Sequence, residues 1–196
     1  MAIEGDFHKY LVHKWKPSVE KSALLVVDMQ EYFRPIGSGI VENVKRLVEG
    51  FRERKRPVIF SLHGHKDPKV DGGMLYKWWG ELIIEGTFDD RLMAELTPRE
   101  GEKIIRKRRY SVFYKTDLED YLRKEGVEDL VICGVMTNLC CETTARDAFM
   151  RDFRVFFIED ATATVNPELH LASLMNLAYG FAVIMKTEEF LKHLGL

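Results

Sequence analysis

The chain has 196 residues, 46% of them hydrophobic and 31% charged, which fits one domain with a sizeable core and excludes disorder and collagen-like repetition. Lys and Arg number 29 against 31 Asp and Glu, a net charge of −2, so no basic excess points to nucleic acid or to an anionic membrane surface.

Ser22 to Gln30 reads SALLVVDMQ, an apolar run without alternation that ends in an acid, the pattern of a strand buried on both faces. Ile40, Val44, Leu47, Val48 and Phe51 recur at helical spacing, and Arg56-Pro57 closes that unit before a second short strand, 58–62. The stretch from His63 to Phe88 is rich in Gly and aromatic residues and reads as a long, ordered, functional loop. A short helix is expected over 89–96 and a strand over 103–107. Thr116-Asp117-Leu118-Glu119 then has the spacing of a capping box. A strand over 130–134 leads to a helix near Asn138, and a strand over 155–159 leads to a helix opened by Asn166-Pro167. The last strand, 182–185, precedes a helix near Thr187.

Six strands alternating with helices define an α/β domain over 1–196, with a mainly parallel, Rossmann-like sheet and helices on both faces. The segment 1–21 lies outside this pattern as an N-terminal extension. No apolar run approaches the roughly 20 residues that cross a bilayer. Glu4, Asp6, His8 and Lys9 stand where a secretory signal would be apolar, so a cytoplasmic location is expected. The odd set Cys133, Cys140 and Cys141 argues against a disulfide framework. A single Gln among abundant Lys, Arg and Glu leans toward a thermophilic source.

Sheets of this kind bind ligands beyond the C-terminal ends of their strands. Asp28 and Gln30, His63 and His65, Lys107, and the turn from Gly134 to Cys141 fall there. Cys140 follows a strand-to-helix turn, where free amides and the helix dipole would shift a thiol toward thiolate and could receive an oxyanion. Asp28 offers a proton acceptor and Lys107 a counter-charge. Each also has an ordinary reading, Asp28 as a loop cap and Lys107 as part of the solvated run Arg106-Lys107-Arg108-Arg109.

LLVVDMQ, KRRYSVF at 107–113, TDLEDYLRKEGVEDLVICGV at 116–135 and TNLCCETTARDAF at 137–149 together resemble the isochorismatase-like superfamily of cysteine hydrolases, from Ala23 onward. The resemblance implies a three-layer αβα sandwich. It also implies a catalytic triad with Cys140 as nucleophile, Asp28 for proton transfer and Lys107 as third member, acting on a small carboxamide through a thioester. A cis peptide, Val135-Met136, and an oxyanion hole from the Met136 and Cys140 amides follow from the same pattern. Cys141 and Cys133 are read as packed thiols. Thr137 belongs to the same turn and is placed at the substrate pocket.

Tyr32, Phe33, Trp78, Trp79 and Phe113 are candidates for the pocket wall, the alternative being core or a subunit contact. His63-Gly64-His65 places two imidazoles on one side of an extended segment, which makes them metal candidates. Nicotinamidases of the superfamily have Asp-x-His here and a further His downstream. This chain has His63 in the Asp position and no His again before His170, so no cofactor is expected and His65 is placed in the pocket as a hydrogen-bonding group. His170 is read as structural and Glu142 with Arg146 as a surface pair. A homo-oligomer, dimer or tetramer, is expected because family members commonly assemble, with a small-molecule substrate as the other partner. Two other functions stay open: an isochorismatase-type vinyl-ether hydrolase, which needs no thiol, and a non-catalytic binding or assembly module.

Overall fold

The computed structural model describes residues 7–196. The strands are β1 (Ser22–Val27), β2 (Val58–His63), β3 (Lys103–Lys107), β4 (Asp129–Val135), β5 (Arg154–Ala163) and β6 (Val183–Met185). They form one sheet in the order β3-β2-β1-β4-β5-β6, and every neighbouring pair is parallel. The order reverses direction between β1 and β4, which leaves a crevice beyond their C-terminal ends.

The helices in chain order are α1 (Arg34–Gly37), α2 (Val41–Glu53), α3 (Pro68–Asp71), α4 (Gly73–Trp79), α5 (Leu118–Lys124), α6 (Glu142–Phe149), α7 (Pro167–Gly180) and α8 (Thr187–Leu194). Alternation along the strands sorts the core into two layers. Leu25, Val27, Ile59, Ile105, Leu130 and Ile132 join the layer that also holds Leu122 of α5, Ala145 of α6 and Leu177 of α7. Leu24, Val26, Phe60, Val131 and Cys133 join the other, beneath α2 and α8, where Phe51 stacks on Phe190 with ring centroids 5.6 Å apart. The apolar runs of β1 and β4 thus follow from burial on both faces.

Four local readings are corrected. The segment 89–96 is not a helix but turns ending in a 3₁₀ turn, Ala94–Leu96, because its backbone is engaged by the continuation of β1. The Met93 amide donates to the Met29 carbonyl and the Glu31 amide to the Arg91 carbonyl. The capping box does not form. Asp117 holds the N-cap position of α5 without a side-chain hydrogen bond to the helix, the Thr116 hydroxyl donates to the Val112 carbonyl while accepting from the Leu118 amide, and Glu119 turns to Arg151. β5 runs to Ala163, well past residue 159, with a register shift against β4 between Ile132 and Gly134. The N-terminal extension, whose first six residues lie outside the described ones, is not wholly outside the core, for Phe7 is buried in the layer with α7. The Asn166 cap forms as expected, its side chain accepting from the Leu169 amide.

Candidate active site

β1, β2, β3 and β4 deliver their final residues to one point. Asp28, immediately after β1, has a left-handed φ of +49° and is fully buried. Its amide and one carboxylate oxygen are both held by Ser61 of β2, whose hydroxyl donates to Oδ1 at 2.6 Å. The other oxygen, Oδ2, forms an ion pair with Lys107 Nζ at 2.6 Å and lacks a well-angled hydrogen bond. Lys107, the last residue of β3, also donates to Cys140 Sγ at 3.2 Å and to the Arg109 carbonyl at 3.1 Å.

Cys140 is set by the chain leaving β4. Gly134 has φ +115°, and a Cβ there would stand 2.1 Å from the Val27 carbonyl oxygen, so only glycine lets β4 pass this close to β1. The Val135-Met136 peptide is cis. The chain then makes a π-helical turn, Thr137–Cys141, in which the Met136 carbonyl accepts from the Leu139 and Cys141 amides. This turn presents Cys140 to the crevice and Cys141 to the core, where it is fully buried; Cys133 is fully buried in the opposite layer.

Burial is the dominant influence on the Cys140 thiol and pushes it up to about 12; Lys107 opposes this and does not outweigh it. The shift is opposite in direction to the one expected from a helix start. For Lys107 the balance runs the other way: burial acts against its charge, yet Asp28 and Cys140 hold its pKa above the ordinary value.

A cavity of about 790 Å³ opens at Cys140. Met136, Leu139, Phe33, Ile36 and Ile83 give it apolar walls, Tyr32, Tyr110 and Trp79 line it as well, and His63 stands at its base beside Lys107. The Trp79 indole donates to the Tyr110 hydroxyl at 2.9 Å.

Four of the pocket expectations are corrected. Trp78 is 75% exposed and outside the cavity, since α4 turns only one of its two Trp side chains inward. Phe113 is in the core, stacked on Phe153 and under Arg151, because the chain after β3 brings Tyr110 rather than Phe113 to the crevice. Thr137 is buried on the α7 side of its turn, paired with His170 Nδ1 at 2.9 Å. His65 is fully buried with Nδ1 2.9 Å from Asp71 Oδ1 and does not line the cavity; its backbone pairs with Ile83 and Glu85, which turns the ring away. Glu142 pairs with Arg146 as read and also accepts from Ser173 of α7.

Ser61 and Gln30 were not assigned site roles from sequence. A lone polar residue inside the apolar strand 58–62 was the available signal for Ser61. Gln30 is buried and clamps the His63 backbone, accepting from its amide at 2.8 Å and donating to its carbonyl at 3.0 Å.

Among the described residues no group of three or more His, Cys, Asp and Glu is placed to hold a metal ion. His63 turns Nδ1 toward the Lys107 ammonium, while His65 engages Asp71 through Nδ1 and leaves its buried Nε2 without a partner.

A doubly wound parallel sheet thus gathers a buried Cys, Asp and Lys at the carboxyl ends of its strands, and the comparisons place the chain among the isochorismatase-family hydrolases. The model of the Isochorismatase domain matches residues 22–189, and the chain belongs to that family. It is 44% identical over 189 residues to Nicotinamidase 3 of Arabidopsis thaliana, covering 95% of each chain. Among solved structures, a cysteine hydrolase from Pseudomonas syringae pv. phaseolicola 1448A superposes with TM-score 0.88 at 27% identity, over 93% of this chain and 96% of that one. N-carbamoylsarcosine amidase from Thermoplasma acidophilum superposes with TM-score 0.75 at 28% identity, over 86% and 97%. No helix among the described residues is long and apolar enough to cross a membrane.

Proposed function

We propose that this hydrolase cleaves the C–N bond of a small carboxamide, with Cys140 as nucleophile, Asp28 as proton carrier and Lys107 as the charge that links them. The observation that carries this reading is the single ammonium lying 2.6 Å from Asp28 Oδ2 and 3.2 Å from Cys140 Sγ, with Cys140 itself in the wall of a cavity. The similarity to proteins named nicotinamidase and N-carbamoylsarcosine amidase supports an amide substrate, and the presence of a thiol favours it over a vinyl ether.

Attack begins with transfer of the thiol proton to Asp28 Oδ2, the oxygen that Ser61 leaves open. The sulfur bonds to the carbonyl carbon, and the amides of Met136 and Cys140 receive the oxyanion. The tetrahedral species collapses as the C–N bond breaks, Asp28 returns the proton to the leaving nitrogen, and ammonia or an amine departs. Asp28 then takes a proton from water, whose oxygen attacks the thioester. The C–S bond then breaks, Asp28 returns its proton to the sulfur, and the acid leaves with the thiol restored. Lys107 keeps its charge throughout and lowers the cost of each anion beside it.

The test is a panel of small amides scored by ammonia release, with intact-protein mass spectrometry after rapid quenching. Wild-type protein is expected to show an acyl adduct on Cys140, and Cys140→Ala to lose at least roughly 10³-fold in kcat with no adduct. Turnover retained by the alanine variant would overturn the assignment.

A further inference from the structure

We propose that His170 is a positioning residue for the oxyanion-binding turn: through Thr137 it fixes where the Met136 and Cys140 amides stand relative to the sulfur. The inference rests on the amide-hydrolysis reading and deepens it by giving a role in that site to α7, a helix that does not line the cavity.

The turn needs support from outside itself. Met136 to Cys140 carries the nucleophile and both oxyanion amides, and a shift of about 1 Å in such a group can cost roughly 10²-fold in rate. Its own flanks hold it through the close approach of Gly134 to Val27 and through Thr144, whose hydroxyl donates to the Cys140 carbonyl at 2.6 Å. The remaining grip comes from the end of β5 and from α7. Thr164 donates its hydroxyl to Asn138 Oδ1 at 2.6 Å, and Ser173 of α7 donates to Glu142 Oε2 at 2.5 Å. Thr137, the first residue of the turn, is fully buried, and its hydroxyl lies 2.9 Å from His170 Nδ1. Among the described residues that hydroxyl has no other partner.

The register of α7 brings His170 to this point. Asn166 caps the helix, and His170, Ser173, Leu174 and Leu177 follow at the spacing of one helical face. The two leucines pack in the layer that holds Cys140, Cys141 and Ala145, so the imidazole stands on a fixed base. Burial lowers the His170 pKa from the ordinary 6.5, so at neutral pH the ring is uncharged, with one donor and one acceptor nitrogen. The hydroxyl, which both donates and accepts, pairs with Nδ1 in either tautomer. Without the imidazole it becomes a buried polar group lacking a partner, a free-energy cost that a shift of the turn relieves. His170 lies outside the cavity wall, so its effect falls on the step that forms the oxyanion and not on substrate binding.

The test measures kcat and KM on the fastest small amide, together with the dissociation constant of benzaldehyde. Addition of Cys140 to that aldehyde forms the sulfur–carbon bond and breaks the carbonyl π bond, which puts an oxyanion at the same amides while the thiol proton passes to Asp28. His170→Leu and Thr137→Val are each expected to lose roughly 10- to 10²-fold in kcat, with KM held within about threefold, and to weaken benzaldehyde in the same proportion. The double variant is expected to lose no more than either single one, since each removes the same hydrogen bond. His170→Asn, which puts an amide atom where Nδ1 stands, and Thr137→Ser are expected to recover most of the rate. A loss confined to KM, losses that multiply in the double variant, a His170→Asn variant as slow as His170→Leu, or lower thermal stability with kcat unchanged would each overturn the proposal. Should His170→Leu fail to fold, Thr137→Val against Thr137→Ser carries the same comparison. If wild type hydrolyses no amide, the function reading fails separately and benzaldehyde alone decides. Wild type is expected to bind it at least about tenfold more tightly than His170→Leu; equal binding, or no adduct on Cys140 in either, would overturn the proposal.

Discussion

Lys107 shows what burial does to a charge that sequence places in a solvated run. Arg106, Lys107, Arg108 and Arg109 look alike in the chain, but β3 alternates, and Lys107 alone is turned fully inward. A buried ammonium persists because Asp28 faces it, and neither charge is tolerable without the other. Lys107→Met is therefore expected to destabilise the fold by about 3–5 kcal/mol, and adding Asp28→Asn to recover much of that loss. Urea denaturation of both variants measures it, and equal costs for the single and double variants would show that the charges do not depend on each other. Asp28, Lys107 and Cys140 were legible because parallel strands expose their last residues at one edge. Ser61 and Gln30 were not, because each acts through hydrogen bonds to residues 33 positions away whose register no local pattern gives. The upward direction of the Cys140 shift was hidden for a related reason: a helix start is visible in sequence, whereas the burial that opposes it is not.

Among the elements, the β4-to-α6 turn bears the heaviest local constraint. Gly134 combines a positive φ with a Cβ direction that points straight at the Val27 carbonyl, so Gly134→Ala is expected to cost about 3 kcal/mol or more and to displace Cys140 as well. Gly86 has φ +82° with open space around it, so Gly86→Ala is expected to cost only the backbone term, about 1–2 kcal/mol. Guanidinium denaturation of the pair separates the two causes; similar losses would mean that close approach to β1 contributes nothing. The strand over 103–107 and the Asn166 cap could be read from sequence because a short range of residues decides them. The stretch 89–96 could not, since its apolar spacing mimics a helix while its Met93 amide donates to the Met29 carbonyl and its Asp89 and Arg91 carbonyls accept from the Tyr32 and Glu31 amides. Trp78 and Trp79 are likewise indistinguishable until α4 is oriented.

Across the whole molecule the sheet order decides what the separate segments can do together, for the reversal between β1 and β4 opens the crevice that collects four strand ends. Alternation of strands and helices made the architecture readable, while the strand order, which depends on crossovers, was not written in any one segment. The same burial that builds the site also fixes how stability responds to acid. His63, His65 and His170 all have pKa values lowered from the ordinary 6.5, burial being the first cause in each; Lys107 adds to it at His63 and Asp71 opposes it at His65. Above about 6.5 the histidines are neutral in folded and unfolded chains alike, and they add no pH dependence. Below it the unfolded chain takes up protons that the folded chain refuses, so unfolding becomes easier as pH falls. Each histidine then contributes a slope of up to about 1.4 kcal/mol per pH unit until its folded pKa is reached. Denaturant midpoints measured between pH 8 and pH 5 are expected to hold steady and then drop below about 6.5, with His170→Gln showing a shallower fall. A slope unchanged by that substitution would mean that His170 is as easily protonated in the folded chain as in the unfolded one.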